Sequence, residues 1–207
     1  MSRGGEKLDA ALDRFGIEVA GRVCLDVGAS TGGFTDCLLQ RGAARVYALD
    51  VGHGQLAEVL RSDPRVVSME RTHAARLDPD AADPLTLPEP ASLAVIDVSF
   101  ISLDKVLGPI LTTLGSKAPI VALVKPQFEA GKGRTDHGVV RDPAIHREVL
   151  ERVVAAATER GLGTRAVVAS PILGPEGNRE FFLHLLAGPG YADIAERIAE
   201  TAAVVAP

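Results

Sequence analysis

Residues 24–35 read Cys-Leu-Asp-Val-Gly-Ala-Ser-Thr-Gly-Gly-Phe-Thr, and this stretch decides the fold of the 207-residue chain. The apolar run around Asp26 predicts a buried strand, residues 28–33 form a glycine-rich turn, and a helical pattern begins at Phe34. A strand, a glycine-rich turn and a helix in this order bring backbone N–H groups close to a ligand at the carboxyl end of a parallel strand. We therefore expect a nucleotide-like cofactor at this turn.

Strands and helices alternate along the rest of the chain. Apolar runs predict strands at 23–27, 45–49, 66–69, 93–96, 120–124, 166–169 and 180–186. Helical patterns occupy 7–15, 33–41, 55–61, 103–114, 144–160 and 191–203. Loops are predicted at 74–91, with room for one helical turn, and at 126–141 and 170–179. This order predicts an α/β fold: a mostly parallel sheet with helices on both faces, whose last strand is antiparallel because the link before it is too short for a crossover helix.

The composition is that of an ordinary globular domain. Hydrophobic residues make up 46% and charged residues 24%, so we predict one domain over residues 1–207. No apolar run approaches the roughly 20 residues that a membrane helix needs. The charged N-terminus lacks the apolar segment of a secretory signal, so we expect a cytoplasmic protein. Two cysteines, Cys24 and Cys37, are too few for a disulfide framework or a structural zinc site, and we expect buried reduced thiols and no metal.

The net charge of −5 does not favour indiscriminate binding to nucleic acid. A local basic patch could still form, because Lys132, Arg134 and Arg141 surround one glycine-rich loop. The same three residues are equally consistent with a solvated loop.

The glycine pattern narrows the choice of cofactor. Dinucleotide binding needs a middle glycine where this chain has Ser30, and no Gly-Lys-Ser/Thr sequence completes a phosphate-binding P-loop. What remains is Asp26-x-Gly28-x-x-x-Gly32, with Asp50 closing the second strand, where its carboxylate can accept hydrogen bonds from two ribose hydroxyls. That pattern suits a single nucleoside without phosphate, such as S-adenosylmethionine (SAM), whose amino-acid end either Asp26 or the glycine backbone could hold.

Four charged residues occupy positions where a buried side chain would be costly. Asp97 and Lys125 end the fourth and fifth strands, where ligands bind in open α/β sheets, Glu180 opens the last strand, and Lys7 lies in the leading helix. A lysine in an apolar pocket near positive charge can act as a base. The alternatives are a buried ion pair for Asp97 and Lys125, and surface charge for Lys7 and Glu180.

A set of ordered motifs resembles the TlyA (hemolysin A-type) methyltransferases, which belong to the FtsJ-like group. The motifs run from Ser2 to about Leu186 and comprise Ser2-Arg3-Gly4-Gly5-x-Lys7-Leu8, Asp26-Val27-Gly28-Ala29-Ser30-Thr31-Gly32-Gly33-Phe34-Thr35, Gly54-Gln55-Leu56, Asp63-Pro64-Arg65-Val66, Glu70-Arg71-Thr72, Asp97-Val98-Ser99-Phe100-Ile101-Ser102-Leu103, Leu123-Val124-Lys125-Pro126-Gln127-Phe128-Glu129 and Gly177-Asn178-x-Glu180-Phe181-Phe182.

This resemblance implies a Rossmann-like class I methyltransferase fold with seven strands, the seventh antiparallel. It implies SAM as cofactor and a catalytic tetrad of Lys7, Asp97, Lys125 and Glu180. The usual family reaction is methyl transfer to a cytidine 2′-hydroxyl in ribosomal RNA, so the implied partner is rRNA or a ribosomal subunit. The expected cofactor contacts are Asp26, Gly28, Ala29, Ser30, Thr31, Gly32, Gly33, Phe34, Asp50, Val51, Thr72, His73 and Asp97.

The sequence also departs from the family. Family members usually carry a small N-terminal RNA-binding domain, whereas this sequence begins almost at the catalytic motif. His53 stands where an aromatic residue is expected near the cofactor, and His73 is either close to the adenine or an ordinary loop histidine. Three hypotheses therefore stay open: an RNA 2′-O-methyltransferase, a SAM-dependent methyltransferase redirected to a small molecule or peptide, and a non-enzymatic SAM-binding or membrane-damaging protein. The absence of an apolar span or basic amphipathic helix speaks against a membrane-damaging protein, and the intact tetrad speaks against a non-enzymatic SAM-binding protein.

Overall fold

A computed structural model of the chain describes residues 2–131 and 133–203. The strands are β1 (Val23–Val27), β2 (Arg45–Leu49), β3 (Val66–Met69), β4 (Leu93–Ile96), β5 (Ile120–Val124), β6 (Leu162–Ala169) and β7 (Phe181–Ala187). The helices are α1 (Arg3–Phe15), α2 (Gly33–Gln40), α3 (Glu58–Arg61), α4 (Asp104–Leu111), α5 (Pro126–Glu129), α6 (Pro143–Glu159) and α7 (Ile194–Ala203). Single 3₁₀ turns lie at Ala74–Leu77 and Pro175–Gly177.

The strands form one sheet in the order β3-β2-β1-β4-β5-β7-β6. All neighbouring pairs are parallel except those that involve β7, which runs antiparallel to both β5 and β6. The predicted sheet with one antiparallel strand is therefore confirmed. This topology has a consequence for the site, because the start of β7 lies at the same edge of the sheet as the carboxyl ends of the parallel strands.

Helices cover both faces of the sheet, as predicted. Side chains of α1, α2 and α3 pack on one face in a cluster that includes Leu12, Leu38 and Leu60. Side chains of α4, α6 and α7 pack on the other face. In β5 successive residues alternate between the two clusters, so its continuous apolar run reflects burial on both sides. Each cluster removes apolar surface from water, which stabilises the packing of the helices on the sheet.

Local sequence explains why the principal helices begin and end where they do. The Ser2 hydroxyl accepts a hydrogen bond from the Gly5 amide and caps α1, and Gly16, in the left-handed region at φ 63°, ends it. The Asp142 carboxylate caps α6, with proline at the first helical position. None of the described helices has the length and apolarity needed to cross a membrane. The two cysteines are buried free thiols, as predicted, and burial raises the pKa of both to about 12.

Several predicted boundaries were wrong. Helix α1 begins four residues earlier than predicted because the Ser2 cap overrides the low helix propensity of two adjacent glycines. Helix α3 begins only at Glu58, since the Gln55 and Leu56 amides donate to the Glu70 carboxylate instead of entering a helix. Helices α4 and α7 are also shorter than predicted, whereas the bounds of α2, α6 and β7 differ by one residue from those predicted.

Two further corrections concern the second half of the chain. The predicted loop at 126–141 contains the one-turn helix α5, which Pro126 favours at its first position. Strand β6 begins at Leu162 rather than at residue 166, because it pairs with β7 along its whole length up to Ala187. A side chain at Gly163 would overlap the backbone of residues 189–190, so the glycine that hid this strand from the sequence pattern is needed for close packing.

Candidate active site

The glycine-rich turn packs directly against the end of β4. Gly28 has φ 86°, and a Cβ at this position would overlap the Asp97 carbonyl oxygen. The next part of the turn contains Ser30, which also has a positive φ, 49°. A non-glycine residue in this conformation is strained and occurs where function or packing requires it. The turn is thereby held against the neighbouring strand end that carries one of the predicted catalytic carboxylates.

Asp50 connects the turn to the end of β2. Its Oδ2 accepts a hydrogen bond from the Ser30 amide at 2.8 Å, and its Oδ1 accepts one from the Gly52 amide at 2.6 Å. Each carboxylate oxygen has a second lone-pair site, so ribose hydroxyls can bind in addition to these amides. The sequence analysis did not predict these two hydrogen bonds, through which Asp50 fixes the shape of the turn.

Two cavities flank the turn. The β1–β2 cavity, of about 340 Å³, is lined by residues that include Gly28, Ser30, Asp50, Val51, Gln55, His73, Asp97 and Phe100. The α1–α2 cavity, of about 310 Å³, is lined by Ser2, Arg3, Gly4, Gly28, Ala29, Ser30, Thr31, Gly33, Phe34 and Asp97. They share three residues, so together they form one elongated site on both sides of the turn. Both volumes lie within the range of small-molecule sites, and because the two are nearly equal it is the lining residues that distinguish the two cavities.

A third cavity, the β5–β7 cavity, lies on the other side of Asp97. Its volume is about 450 Å³, and its lining comprises Ser99, Phe100, Lys125, Gln127, Phe128, Thr135, Gly138, Glu176 and Glu180. Ser99 and Phe100 also line the β1–β2 cavity. The β1–β2 cavity and the β5–β7 cavity are therefore neighbours that share one short wall, formed by Ser99 and Phe100.

Lys125 stands at this wall. Its Nζ lies 2.6 Å from Asp97 Oδ1 and donates a hydrogen bond to Ser99 Oγ at 2.9 Å. Its side chain is 13% exposed, so the ammonium is largely withdrawn from solvent. The Phe128 ring centroid lies 5.9 Å from Nζ. The structure thus brings two of the predicted catalytic residues into direct contact, and Lys125 lines the β5–β7 cavity.

The other two predicted residues form a second ion pair. Lys7 Nζ donates to Glu180 Oε2 at 2.6 Å, and the two side chains are 8% and 0% exposed. Glu180 Oε1 is buried beside Gly174 and has no hydrogen-bond partner in the described part of the chain. Val124 pairs with Phe181, so the residues next to them, Lys125 and Glu180, lie at the same edge of the sheet, and one member of each ion pair lines the β5–β7 cavity. The surface-charge interpretation of Lys7 and Glu180 does not apply.

Three predicted cofactor contacts line none of the three cavities. Asp26 is fully buried and accepts the Thr35 hydroxyl at 2.7 Å. Gly32 packs against α3, where a Cβ would overlap Leu60, and the buried Thr72 donates to the Glu70 carbonyl oxygen. These three residues lie behind the cavity walls and do not border the cavities themselves.

Asp26 makes folding stability depend on pH. Burial raises the pKa of its carboxyl from 3.8 to about 7, although the Thr35 hydrogen bond acts in the opposite direction. Between these two values the folded chain holds a proton that the unfolded chain has lost, so the free energy of unfolding falls as pH rises through this window. Asp26→Asn should remove that dependence and gain of the order of 2–4 kcal/mol relative to wild type between pH 4 and pH 8.

Urea unfolding of both proteins at several pH values measures this difference. Asp36→Asn, which changes a carboxylate on α2 that bonds to Gln40, is the matched control and should follow wild type. A constant difference between Asp26→Asn and wild type at every pH would show that Asp26 is already ionised in the fold.

The sequence prediction missed several residues of the site. Phe100 is 89% exposed with φ 64°, and its ring lies 4.7 Å from that of Phe128. Asn178 is buried and holds the loop over the β5–β7 cavity, donating to the Gly138 carbonyl oxygen and accepting from the Val140 amide. Gln127 and Glu176 also line the β5–β7 cavity. Several of these residues occur in the family motifs, but their contacts depend on the tertiary fold.

The two histidines and the possible basic patch singled out in the sequence have fewer contacts with the candidate site than the charged residues described above. His53 Nδ1 lies 3.4 Å from Glu70 Oε2, and His73 Nδ1 accepts the Ala75 amide while its side chain borders the β1–β2 cavity. Arg134 is paired with Glu148, so it is not free to form a basic patch. Lys132, another member of that patch, lies outside the described residues.

Comparison with known proteins identifies the family. Residues 1–186 match the FtsJ-like methyltransferase family. The 16S/23S rRNA (cytidine-2′-O)-methyltransferase TlyA of Mycobacterium tuberculosis is 52% identical over 186 residues, which are 89% of this chain and 68% of TlyA. Hemolysin A of Brachyspira hyodysenteriae is 43% identical over 187 residues, covering 90% of this chain and 76% of hemolysin A. The crystal structure of a candidate hemolysin from Lactococcus lactis superposes with a TM-score of 0.87 at 44% identity, covering 97% of both chains. These matches confirm the resemblance drawn from the motifs: the chain belongs to the FtsJ-like methyltransferase family, in the group that contains TlyA and hemolysin A.

Proposed function

We propose that the protein transfers a methyl group from SAM to the 2′-hydroxyl of a cytidine in ribosomal RNA, and that it does so in the cytoplasm. One observation carries the proposal: Lys125, paired with Asp97 and Ser99, stands between the two-part cofactor site and the β5–β7 cavity. The printed function of the mycobacterial relative, at 52% identity, supports the choice of acceptor.

The residues of the site fit SAM. The Asp50 carboxylate at the end of β2 is positioned for ribose hydroxyls, and the β1–β2 cavity offers apolar walls for a base. The α1–α2 cavity lies on the other side of the turn, with backbone amides and Arg3 available for an amino-acid end. Bound SAM supplies an electrophilic methyl group on a sulfonium. We infer that Asp50 and residues 28–33 hold it so that the methyl group faces the β5–β7 cavity.

Lys125 is the proposed group that acts on the acceptor. Its amine would accept the 2′-hydroxyl proton or polarise that hydroxyl as the oxygen attacks the methyl carbon, and Asp97 and Ser99 would hold Nζ in place. Glu180, fixed by Lys7, would position the acceptor ribose. Much of the rate would come from orientation in a largely desolvated cavity.

The cofactor half of the proposal predicts the effect of Asp50→Ala. Because this change removes the acceptor for two backbone amides and for the ribose, SAM affinity should fall at least about 100-fold, as expected for two hydrogen bonds to a charged group. Isothermal titration calorimetry with SAM measures it. Asp36→Ala, which removes a carboxylate from the outer surface of α2, should bind like wild type. Unchanged SAM affinity in Asp50→Ala would contradict the assignment of this pocket.

The acceptor half is tested by a competition between acceptor classes. Methyl-labelled SAM is offered with purified ribosomal RNA, with intact ribosomal subunits and with a cell extract of metabolites and peptides. We expect label in RNA or subunits. Label confined to small molecules or peptides would overturn the rRNA proposal and favour the redirected methyltransferase, and SAM binding without transfer to any acceptor would favour the non-enzymatic hypothesis.

A further inference from the structure

The loops that carry Asp97 and Lys125 are joined at a second point, remote from the reacting groups. The chain from Asp97 to Leu103 links β4 to α4, and the one-turn helix α5 follows Lys125. Glu129, at the end of α5, is 8% exposed and directs its carboxylate into the first of these loops. Its Oε2 accepts the Ser102 hydroxyl at 2.9 Å, and its Oε1 accepts the Leu103 amide at 2.8 Å.

The contacts between the two loops form three successive rungs. At one end Lys125 Nζ contacts Asp97 and Ser99, in the middle the Phe100 and Phe128 rings meet, and at the other end Glu129 binds Ser102 and Leu103. The first two rungs border the β1–β2 and β5–β7 cavities. The third borders a separate cavity of about 310 Å³, the α4–α6 cavity, whose lining includes Ser102, Glu129 and Glu159, but its hydrogen bond from the Leu103 amide to Glu129 is buried. The buried rung can therefore set the spacing of the other two.

The turn of α5 connects the buried rung to the lysine. The amides of Phe128 and Glu129 both donate to the Lys125 carbonyl oxygen, at 3.0 and 3.2 Å. The Glu129 carbonyl oxygen in turn accepts a hydrogen bond from Arg152 of α6, which anchors the turn to the helix layer. A shift of the Glu129 side chain is thus transmitted to Lys125 through one hydrogen-bonded turn.

We propose that Glu129 is a positioning residue for methyl transfer, which fixes the Asp97–Leu103 loop against α5 and so holds Lys125 in contact with Asp97. The inference rests on the proposed function for its kinetic consequence. Its structural part, that Glu129 closes the two loops on each other, holds whichever acceptor the enzyme uses. The carboxylate acts as a double acceptor, and its charge is not the property that matters.

The choice of variants follows from this last point. In Glu129→Gln the amide oxygen can accept the Leu103 N–H, and the Ser102 hydroxyl can reverse its direction and accept from the amide nitrogen. Glu129→Ala removes both bonds, and Ser102→Ala removes one. Glu159→Ala is the matched control, because Glu159 of α6 lines the same α4–α6 cavity and makes no hydrogen bond or ion pair with either loop in the described part of the chain.

Two measurements separate the structural and kinetic parts. Hydrogen–deuterium exchange reports on the amides of residues 98–104 and 127–130, and steady-state kinetics with ribosomal RNA gives kcat and KM. We expect Glu129→Ala to exchange these amides at least 10-fold faster and to lose about 10-fold to 100-fold in kcat, as misplacement of a reacting group does. KM should change less than threefold. Glu129→Gln should stay within about threefold of wild type in both, and Ser102→Ala should lie between.

Each outcome bears on the proposal. Unchanged exchange and kcat in folded Glu129→Ala would overturn it. So would a kcat loss in Glu129→Gln as large as in Glu129→Ala, since that would assign the effect to charge. If Glu129→Ala does not fold, Ser102→Ala decides: wild-type exchange and kcat in that variant would overturn the proposal. Failure of the proposed function would look different, because the wild-type protein itself would then leave ribosomal RNA unmethylated while the exchange result still stood.

Discussion

Lys125→Ala is expected to lower the rate of methyl transfer by at least about 1000-fold while SAM affinity stays within about threefold of wild type. The change removes the amine that lies 2.6 Å from Asp97 and lines the β5–β7 cavity. Loss of a positioned proton acceptor costs a factor of about 10²–10⁴. Loss of its orienting contacts adds to this. SAM affinity should persist because Lys125 does not line either cavity beside the glycine turn.

Single-turnover transfer from labelled SAM, together with calorimetric SAM binding, measures both quantities. Lys117→Ala, an exposed lysine in the connection before β5, is the matched control and should behave like wild type. Full transfer by Lys125→Ala with normal SAM binding would show that another group acts on the acceptor. A parallel loss of SAM affinity would instead place Lys125 among the cofactor contacts.

The second large effect is expected at the buried pair of Lys7 and Glu180. Lys7→Met leaves a fully buried carboxylate without its cation, and breaking a buried pair in this way costs about 3–5 kcal/mol of folding free energy. The double variant Lys7→Met with Glu180→Leu removes both charges and should regain most of that stability. It should not regain methyl transfer, because Glu180 lines the β5–β7 cavity, where we propose that the acceptor binds.

Urea unfolding of Lys7→Met, Glu180→Leu, the double variant and wild type gives the four free energies of unfolding that this double-mutant cycle needs. If the double variant recovers both stability and transfer, the pair is an ordinary structural ion pair and the tetrad is reduced to Asp97 and Lys125. If the single variants are as stable as wild type, the pair is solvated and the described burial is wrong.

Much of the fold could be predicted from the sequence because the apolar runs that form the buried strands and the helical spacing of apolar residues were both clear. The bounds of β1 to β5 were predicted residue for residue, since each is a short apolar run that ends at a polar or glycine residue. Helix α3 was overestimated because the pattern cannot show that the Glu70 carboxylate takes the Gln55 and Leu56 amides. Strand β6 was underestimated because pairing with β7 matters more there than apolar content. The one-domain prediction for residues 1–207 stays a prediction.

In the candidate site, too, the features set by local sequence could be predicted, whereas those set by distant contacts could not. Asp97 and Lys125 could be singled out because charged residues directly follow buried parallel strands, and the antiparallel direction of β7 then places Glu180 beside them. The hydrogen bonds of Glu129 and Asn178 could not be predicted, since their partners are distant in sequence. The assignments of catalytic and cofactor-binding residues remain proposals that the variants above test.

The most direct test of the central claim is the chemical position of the transferred methyl group. Ribosomal RNA treated with enzyme and labelled SAM is digested to nucleosides, which are separated and identified by mass spectrometry. The proposed site predicts label in 2′-O-methylcytidine, and its loss in Lys125→Ala but not in Lys117→Ala. Label on a nucleobase, or 2′-O-methylcytidine at the wild-type rate in Lys125→Ala, would contradict a lysine-centred ribose methyltransferase.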